Sequence, residues 1–134
     1  MKLILFLDER GGMLFNHRRQ SQDRKAREYI LNMTMGGRLL MNPYSAKQFG
    51  ECEGITVTES PARDAREEDF VLIENLPVSL TGVSEVILIL WNTLYPSDVS
   101  FDVASLRKEG FALQKSEEFS GYSHEKITVE FHRR

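Results

Sequence analysis

Val86–Trp91 reads VILILW, six apolar residues in a row. Successive side chains of a strand point to opposite faces, so a strand apolar at every position has no face to offer water. It belongs in the middle of a sheet covered on both sides. Leu3–Leu7 (LILFL) has the same character and is closed by Asp8, Glu9 and the Gly11-Gly12 pair. Two such runs predict central strands of a sheet with layers packed on each face.

The rest of the chain supplies those layers. Ala26, Tyr29, Ile30 and Met33 fall at i, i+3, i+4 and i+7, the spacing of one helix face. Ser21 reads as the N-cap, Asp23 sits in the first turn against the helix dipole, and Gly36-Gly37 ends the helix after Met35. A short strand, Arg38–Met41, leads into Asn42-Pro43, a cap residue followed by proline, and so into a short helix ending near Phe49. Ile55–Thr58 reads as a strand, Ser60-Pro61 starts a helix or turn reaching Glu67, and Phe70–Ile73 is another strand. Val99, Phe101 and Val103 alternate with polar residues as a strand does. Phe111–Phe119 and His124–His132, separated by Ser120-Gly121-Tyr122-Ser123, predict an antiparallel hairpin. Early alternation of strands and helices with a hairpin at the end predicts an α/β fold. Its sheet is mainly parallel and flanked by helices, with a C-terminal antiparallel hairpin. The 134 residues suit a single domain, 1–134.

Charge and cysteine content narrow the function classes. With 17 basic and 20 acidic residues the formal charge is −3, so no global field draws in nucleic acid and any such role needs a local patch. The single cysteine, Cys52, forms no intramolecular bridge and suits a reducing compartment. The opening MKLILFLDERGG has an apolar run shorter than the roughly 7–15 residues of a signal peptide core. No run approaches the roughly 20 residues of a membrane span. These features predict a cytoplasmic protein without a membrane partner.

The segment RGGMLFNHRRQSQDR, Arg10–Arg24, carries the main candidate site. From His17 to Arg27 the chain sets Arg18, Arg19, Arg24, Lys25 and Arg27 against a single acid, Asp23. Ligands of open α/β sheets sit off the carboxyl ends of the strands, where this loop emerges, and arginine forks suit anions. Asn16, Arg18, Arg19, Gln20 and Asp23 are therefore candidate ligand-binding residues. The alternative is a solvated face of paired arginines, with Asn16 only a turn residue. Trp91 and Tyr95 follow the strongest strand and either stack on a planar ligand or pack in the core. Asp23 and His124 are the candidates for acid/base catalysis, although histidine in a turn also caps or packs. No Walker loop, G-x-G-x-x-G, G-x-S-x-G or C-x-x-C motif is present, and His17, His124 and His132 are not spaced as zinc ligands. No metal or cofactor is assigned.

Taken in order, LFLDERGGMLFN, the following helix with LLMNPYSAKQF, then YPSDVSFD and GYSHEKITVEFHRR resemble the landmarks of dihydrofolate reductase. The resemblance implies that family's fold. It also implies a pterin-binding acid on the first helix, for which Asp23 is the sole candidate here, in Gln20-Ser21-Gln22-Asp23 without the family's Trp and Pro. Likewise, Met41-Asn42-Pro43-Tyr44-Ser45 keeps only the methionine and a hydroxyl of the phosphate-holding motif. These departures predict loss of reductase activity. Gly11–Ser21 and Ser123–Thr128 are similar to runs in a set of small bacterial proteins often named ribonuclease Z. That name implies a dizinc hydrolase with a His-x-His-x-Asp-His cluster, which this chain lacks. The expectation is a protein that binds a small anionic or nucleotide-like ligand through the loop after its first strand. The alternatives are an enzyme using Asp23 or His124, or an RNA-acting protein.

Overall fold

The computed structural model describes residues 1–50 and 52–134. The strands are β1 (Lys2–Leu7), β2 (Gly12–Phe15), β3 (Arg18–Arg19), β4 (Leu39–Met41), β5 (Ile55–Val57), β6 (Phe70–Leu72), β7 (Glu85–Leu90), β8 (Val99–Ser100), β9 (Ala112–Phe119) and β10 (Ile127–Arg133). The helices are α1 (Arg24–Met33), α2 (Pro43–Phe49), α3 (Pro61–Asp64) and α4 (Ala104–Lys108).

Seven strands form one sheet in the order β5-β4-β6-β1-β7-β10-β9. All neighbours are parallel as far as β7, and β10 runs antiparallel to both β7 and β9. The two all-apolar runs lie side by side at its centre, Leu3 against Val86 and Leu7 against Leu90. Leu3, Leu5, Leu7, Val86 and Leu88 pack on one face with Met13, Phe101 and Leu106. Ile4, Phe6, Ile87 and Ile89 pack on the other with Ala26, Ile30 and Phe49. Each such side chain contributes about 2 kcal/mol through burial. The long edge strand β9 is largely exposed and carries Lys115, Glu117 and Glu118, charges that blunt the edge against further pairing.

Three local expectations are corrected. The N-cap of α1 is Asp23, not Ser21: Asp23 is extended, and its Oδ1 accepts from the amides of Lys25 at 2.8 Å and Ala26 at 3.2 Å. The helix therefore begins at Arg24 and closes at Thr34. Second, the loop expected after β1 contains a hairpin. Asn16 and His17 have φ of 53° and 62°, as a two-residue type I′ turn requires, and join β2 to β3, while β8 pairs with the other edge of β2. Third, the alternation of Val99, Phe101 and Val103 gives only the two-residue β8 and then α4. Asp102 turns the chain by accepting from the amide of Ala104 at 3.1 Å, and α4 buries Leu106 under the sheet. Beyond Asp64, the expected helix or turn from Ser60 is not helical. Among the described residues no helix is long and apolar enough to cross a membrane.

Asp8 organises the carboxyl end of β1. It accepts from the amides of Arg10 at 2.8 Å and Gly12 at 2.7 Å, from Gln20 Nε2 at 2.9 Å and from the Tyr95 amide at 3.3 Å. Burial pushes this carboxyl up, but the four hydrogen bonds outweigh it and hold its pKa below the usual range. A Cβ at Gly12 would lie 2.6 Å from the Asp8 carboxylate and 2.6 Å from the Gln20 amide, so only glycine admits this approach. One buried acid thus ties the β2–β3 hairpin to the segment after β7.

Candidate functional site

Asp23, Ser21, His124 and Tyr95 converge beside the amino end of α1. The connection between β9 and β10 crosses that helix end, and its Tyr122 and Ser123 amides donate to the Asp23 carboxylate at 3.0 Å and 2.9 Å. Ser123 Oγ donates to it at 3.2 Å, and His124 Nδ1 lies 2.8 Å from Oδ2. Desolvation raises the Asp23 pKa, but the hydrogen bonds from His124, the Ser123 and Tyr122 amides and the Ala26 amide prevail. The carboxyl is held well below the usual range and stays ionised at neutral pH.

An ionised Asp23 fixes the imidazole. Nδ1 carries the hydrogen and donates to the carboxylate, which in the neutral imidazole leaves the Nε2 lone pair to accept. That nitrogen lies 2.9 Å from Ser21 Oγ and 3.1 Å from the Tyr95 hydroxyl. Trp91 stacks on the imidazole with ring centroids 4.6 Å apart, and Phe6 stacks on the other side of the indole at 5.0 Å. Both faces of Trp91 are therefore covered. It carries the histidine rather than offering a face to a ligand.

Gly121 allows this closure. A Cβ there would stand 2.7 Å from Asp23 Oδ2, 2.8 Å from the His124 carbonyl and 2.9 Å from Ile127 Cδ1. Gly121→Ala is expected to lower stability by about 2 kcal/mol through this overpacking. An unchanged thermal unfolding midpoint would show that the β9–β10 connection is not seated on Asp23.

The arginines divide. Arg19 turns inward: its Nε and Nη2 donate to the buried Glu74 at 3.1 and 3.3 Å, Nη2 also donates to the Tyr44 carbonyl, and the guanidinium stacks on the Tyr44 ring at 4.5 Å. Gln48 donates to the same Glu74 at 2.9 Å. Arg19 therefore reaches the carboxyl ends of the strands, but its charge is already matched there. Arg18 is exposed and has no ion-pair partner among the described residues. With Phe15, Asn16, Gln20 and Tyr95 it lines a cavity of about 290 Å³. Asn16 is the first residue of the hairpin turn, and its amide donates to Asp98 at 3.0 Å. Gln20 donates to Asp8 and to the Pro96 carbonyl at 3.1 Å, and its side-chain oxygen is buried without a partner among the described residues.

Tyr95 is shared by two openings. On its other side a cleft of about 550 Å³ is lined by Trp91, Asn92, Ser123, His124, Glu125 and Lys126. A larger cavity, about 720 Å³, lies by α4 and the carboxyl ends of β1 and β7, and is bordered by Asp8, Glu9, Asp102, Glu130 and Arg10. Its acidic border disfavours an anion, whereas the Arg18 opening has no acid in its lining among the described residues; in the His124 cleft Lys126 sits beside Glu125 and pairs with Glu118 at 3.5 Å. Among the described residues no three His, Cys, Asp or Glu side chains are grouped to hold a metal.

The chain is similar in structure to dihydrofolate reductase from Enterococcus faecalis, solved in complex with NADP(H) and RAB-propyl. The TM-score is 0.67 at 11% identity, over 99% of this chain and 95% of that one. The fold is dihydrofolate-reductase-like. At that identity the likeness concerns fold alone, because one fold hosts many sites. No protein-family model and no curated protein matches the sequence.

Reasoning from sequence separated Asp23 and His124 as rival acid/base candidates, whereas they form one hydrogen-bonded unit. It also read Ser21 as a cap and so missed its place at His124 Nε2. The only local signal is Ser21 two residues before Asp23; the histidine lies 103 positions from Ser21.

Proposed function

We propose that this chain binds a small anionic, nucleotide-like ligand in the openings on either side of Tyr95, and does not act as a dihydrofolate reductase. The observation that carries the reading is Arg18, an arginine without an acid partner among the described residues, facing a cavity that shares Tyr95 with the His124 cleft. Arg18 takes the anion with its planar fork. Asn16 and Gln20 border it, and Tyr95 lies between the anion and the imidazole.

Two features support a function other than reduction of a pterin. The acceptor positions of Asp23 are occupied by the chain's own amides, Ser123 and His124, leaving a pterin ring little to pair with. The Arg19–Glu74–Tyr44 cluster occupies the segments that follow β4 and β6. Nothing in the proposal is assigned to a metal or to a redox cofactor, and with Arg19 matched by Glu74 and Arg24 paired with Glu28 the segment offers less of the phosphate-tracking patch an RNA-acting protein needs.

A thermal-shift screen with inorganic phosphate, nucleoside monophosphates, NADPH and dihydrofolate tests the reading. A ligand at about ten times its Kd stabilises by about 1.4 kcal/mol, a rise of about 5 °C. The expected result is a shift with a nucleotide or phosphate that falls about tenfold or more in apparent affinity in Arg18→Ala. A shift with dihydrofolate alone, or equal shifts in Arg18→Ala, would refute it.

A further inference from the structure

We propose that Ser21 is a nucleophile, activated by His124 and oriented through Asp23, in an acyl-transfer site that hydrolyses small carboxylic esters. The inference goes beyond ligand binding at Arg18 and stands on separate geometry. His124 Nδ1 lies 2.8 Å from Asp23 Oδ2, and Nε2 lies 2.9 Å from Ser21 Oγ. This is the order of contacts by which a serine hydroxyl, an imidazole base and a buried carboxylate act together, and it is recognised by geometry rather than by position in the chain.

The surroundings suit each role. The Asp23 side chain is fully buried and that of His124 is 8% exposed, so the carboxylate acts on the imidazole in a site shielded from water. Trp91 stacks on one face of the imidazole and restrains its tilt. Ser21 is half-buried, and Tyr95 and His124, which its hydroxyl approaches, line the neighbouring cleft. The hydroxyl of Tyr95, a residue that lines both cavities, is 3.1 Å from the same nitrogen and is the donor placed to meet an oxyanion once Ser21 holds Nε2. Asp23 and Trp91 are positioning residues; Ser21 and His124 are the groups that meet substrate.

The reaction balances without a cofactor. Ser21 Oγ adds to the ester carbonyl carbon as its proton passes to His124 Nε2, and the imidazolium is stabilised by Asp23. Collapse breaks the carbonyl–alkoxy bond, and the alcohol leaves with the proton from Nε2. Water then adds to the acylated serine, giving its proton to Nε2, and the bond to Ser21 breaks as the serine recovers that proton. The products are a carboxylic acid and an alcohol.

A fluorophosphonate reagent tests this on the intact chain, because attack by a serine oxygen forms a phosphorus–oxygen bond as fluoride leaves. The expected result is one adduct, mapped to Ser21 by peptide mass spectrometry, and hydrolysis of p-nitrophenyl acetate that Ser21→Ala abolishes. His124→Asn should slow labelling of Ser21 by about 10³-fold or more. Ser21→Ala removes one half-buried hydroxyl and should keep the wild-type circular dichroism spectrum, so its loss of activity is not loss of fold. Absence of an adduct, an adduct at Tyr95 or elsewhere, or labelling of Ser21 at an undiminished rate in folded His124→Asn would overturn the proposal. None of those outcomes alters the nucleotide shift or its dependence on Arg18, so the two readings fail separately.

Discussion

Asp23→Ala should destabilise the protein by about 4 kcal/mol, a fall of roughly 12 °C in the unfolding midpoint. The carboxylate caps α1 through the Lys25 and Ala26 amides and seats the β9–β10 connection through those of Tyr122 and Ser123. Losing the cap costs about 1 kcal/mol, and each of the two part-buried connection amides left without an acceptor adds about 1.5 kcal/mol. Asp23→Asn keeps one carbonyl oxygen and should lose about half as much. Urea unfolding at neutral pH measures both, and a loss below about 0.5 kcal/mol in the alanine variant would contradict the role assigned to this residue.

The same carboxylate shapes the acid limb of stability. Its folded pKa is depressed below the unfolded value of about 3.9. The folded state therefore binds fewer protons in acid, and the contribution of Asp23 is fully present above that unfolded value. It is lost as pH falls through the lower, folded value. Asp23→Asn should flatten this part of the limb while leaving the smaller contribution of Asp8, which is depressed in the same direction.

Trp91→Ala is the second large effect, about 3–5 kcal/mol. The indole is 3% exposed and lies between Phe6 and His124, so truncation opens a cavity and removes the imidazole's support together. Trp91→Phe keeps an aromatic face and should cost about 1.5 kcal/mol. Denaturant unfolding followed by far-ultraviolet circular dichroism compares the variants without relying on the emission of the chain's single tryptophan. Equal stability of the alanine and phenylalanine variants would mean that the stack contributes nothing.

These residues also show why the fold was more legible than the site. LILFL and VILILW identify central strands because burial on both faces leaves a purely local mark. Asn42-Pro43 marks the start of α2 in the same local way. Ser21 and Asp23, by contrast, are both good cap residues two positions apart. The choice between them is made by the β9–β10 connection, whose amides, about one hundred residues away, require a carboxylate. Arg19 and Glu74 are likewise 55 positions apart, so sequence places the guanidinium near the strand ends but cannot show that its charge is matched. The strand expected through Val103 was lost to α4 because Asp102 and a buried Leu106 outweigh a three-residue alternation.

The central claim is that Arg18 and His124 face one ligand across Tyr95. The direct measurement is a titration of isotope-labelled protein with a nucleoside monophosphate, observing the Arg18 guanidinium and His124 imidazole resonances together. The account predicts that both shift with a single Kd and that the His124 response weakens about tenfold or more in Arg18→Ala. Shifts confined to one of the two residues, or a His124 response unchanged in Arg18→Ala, would contradict it.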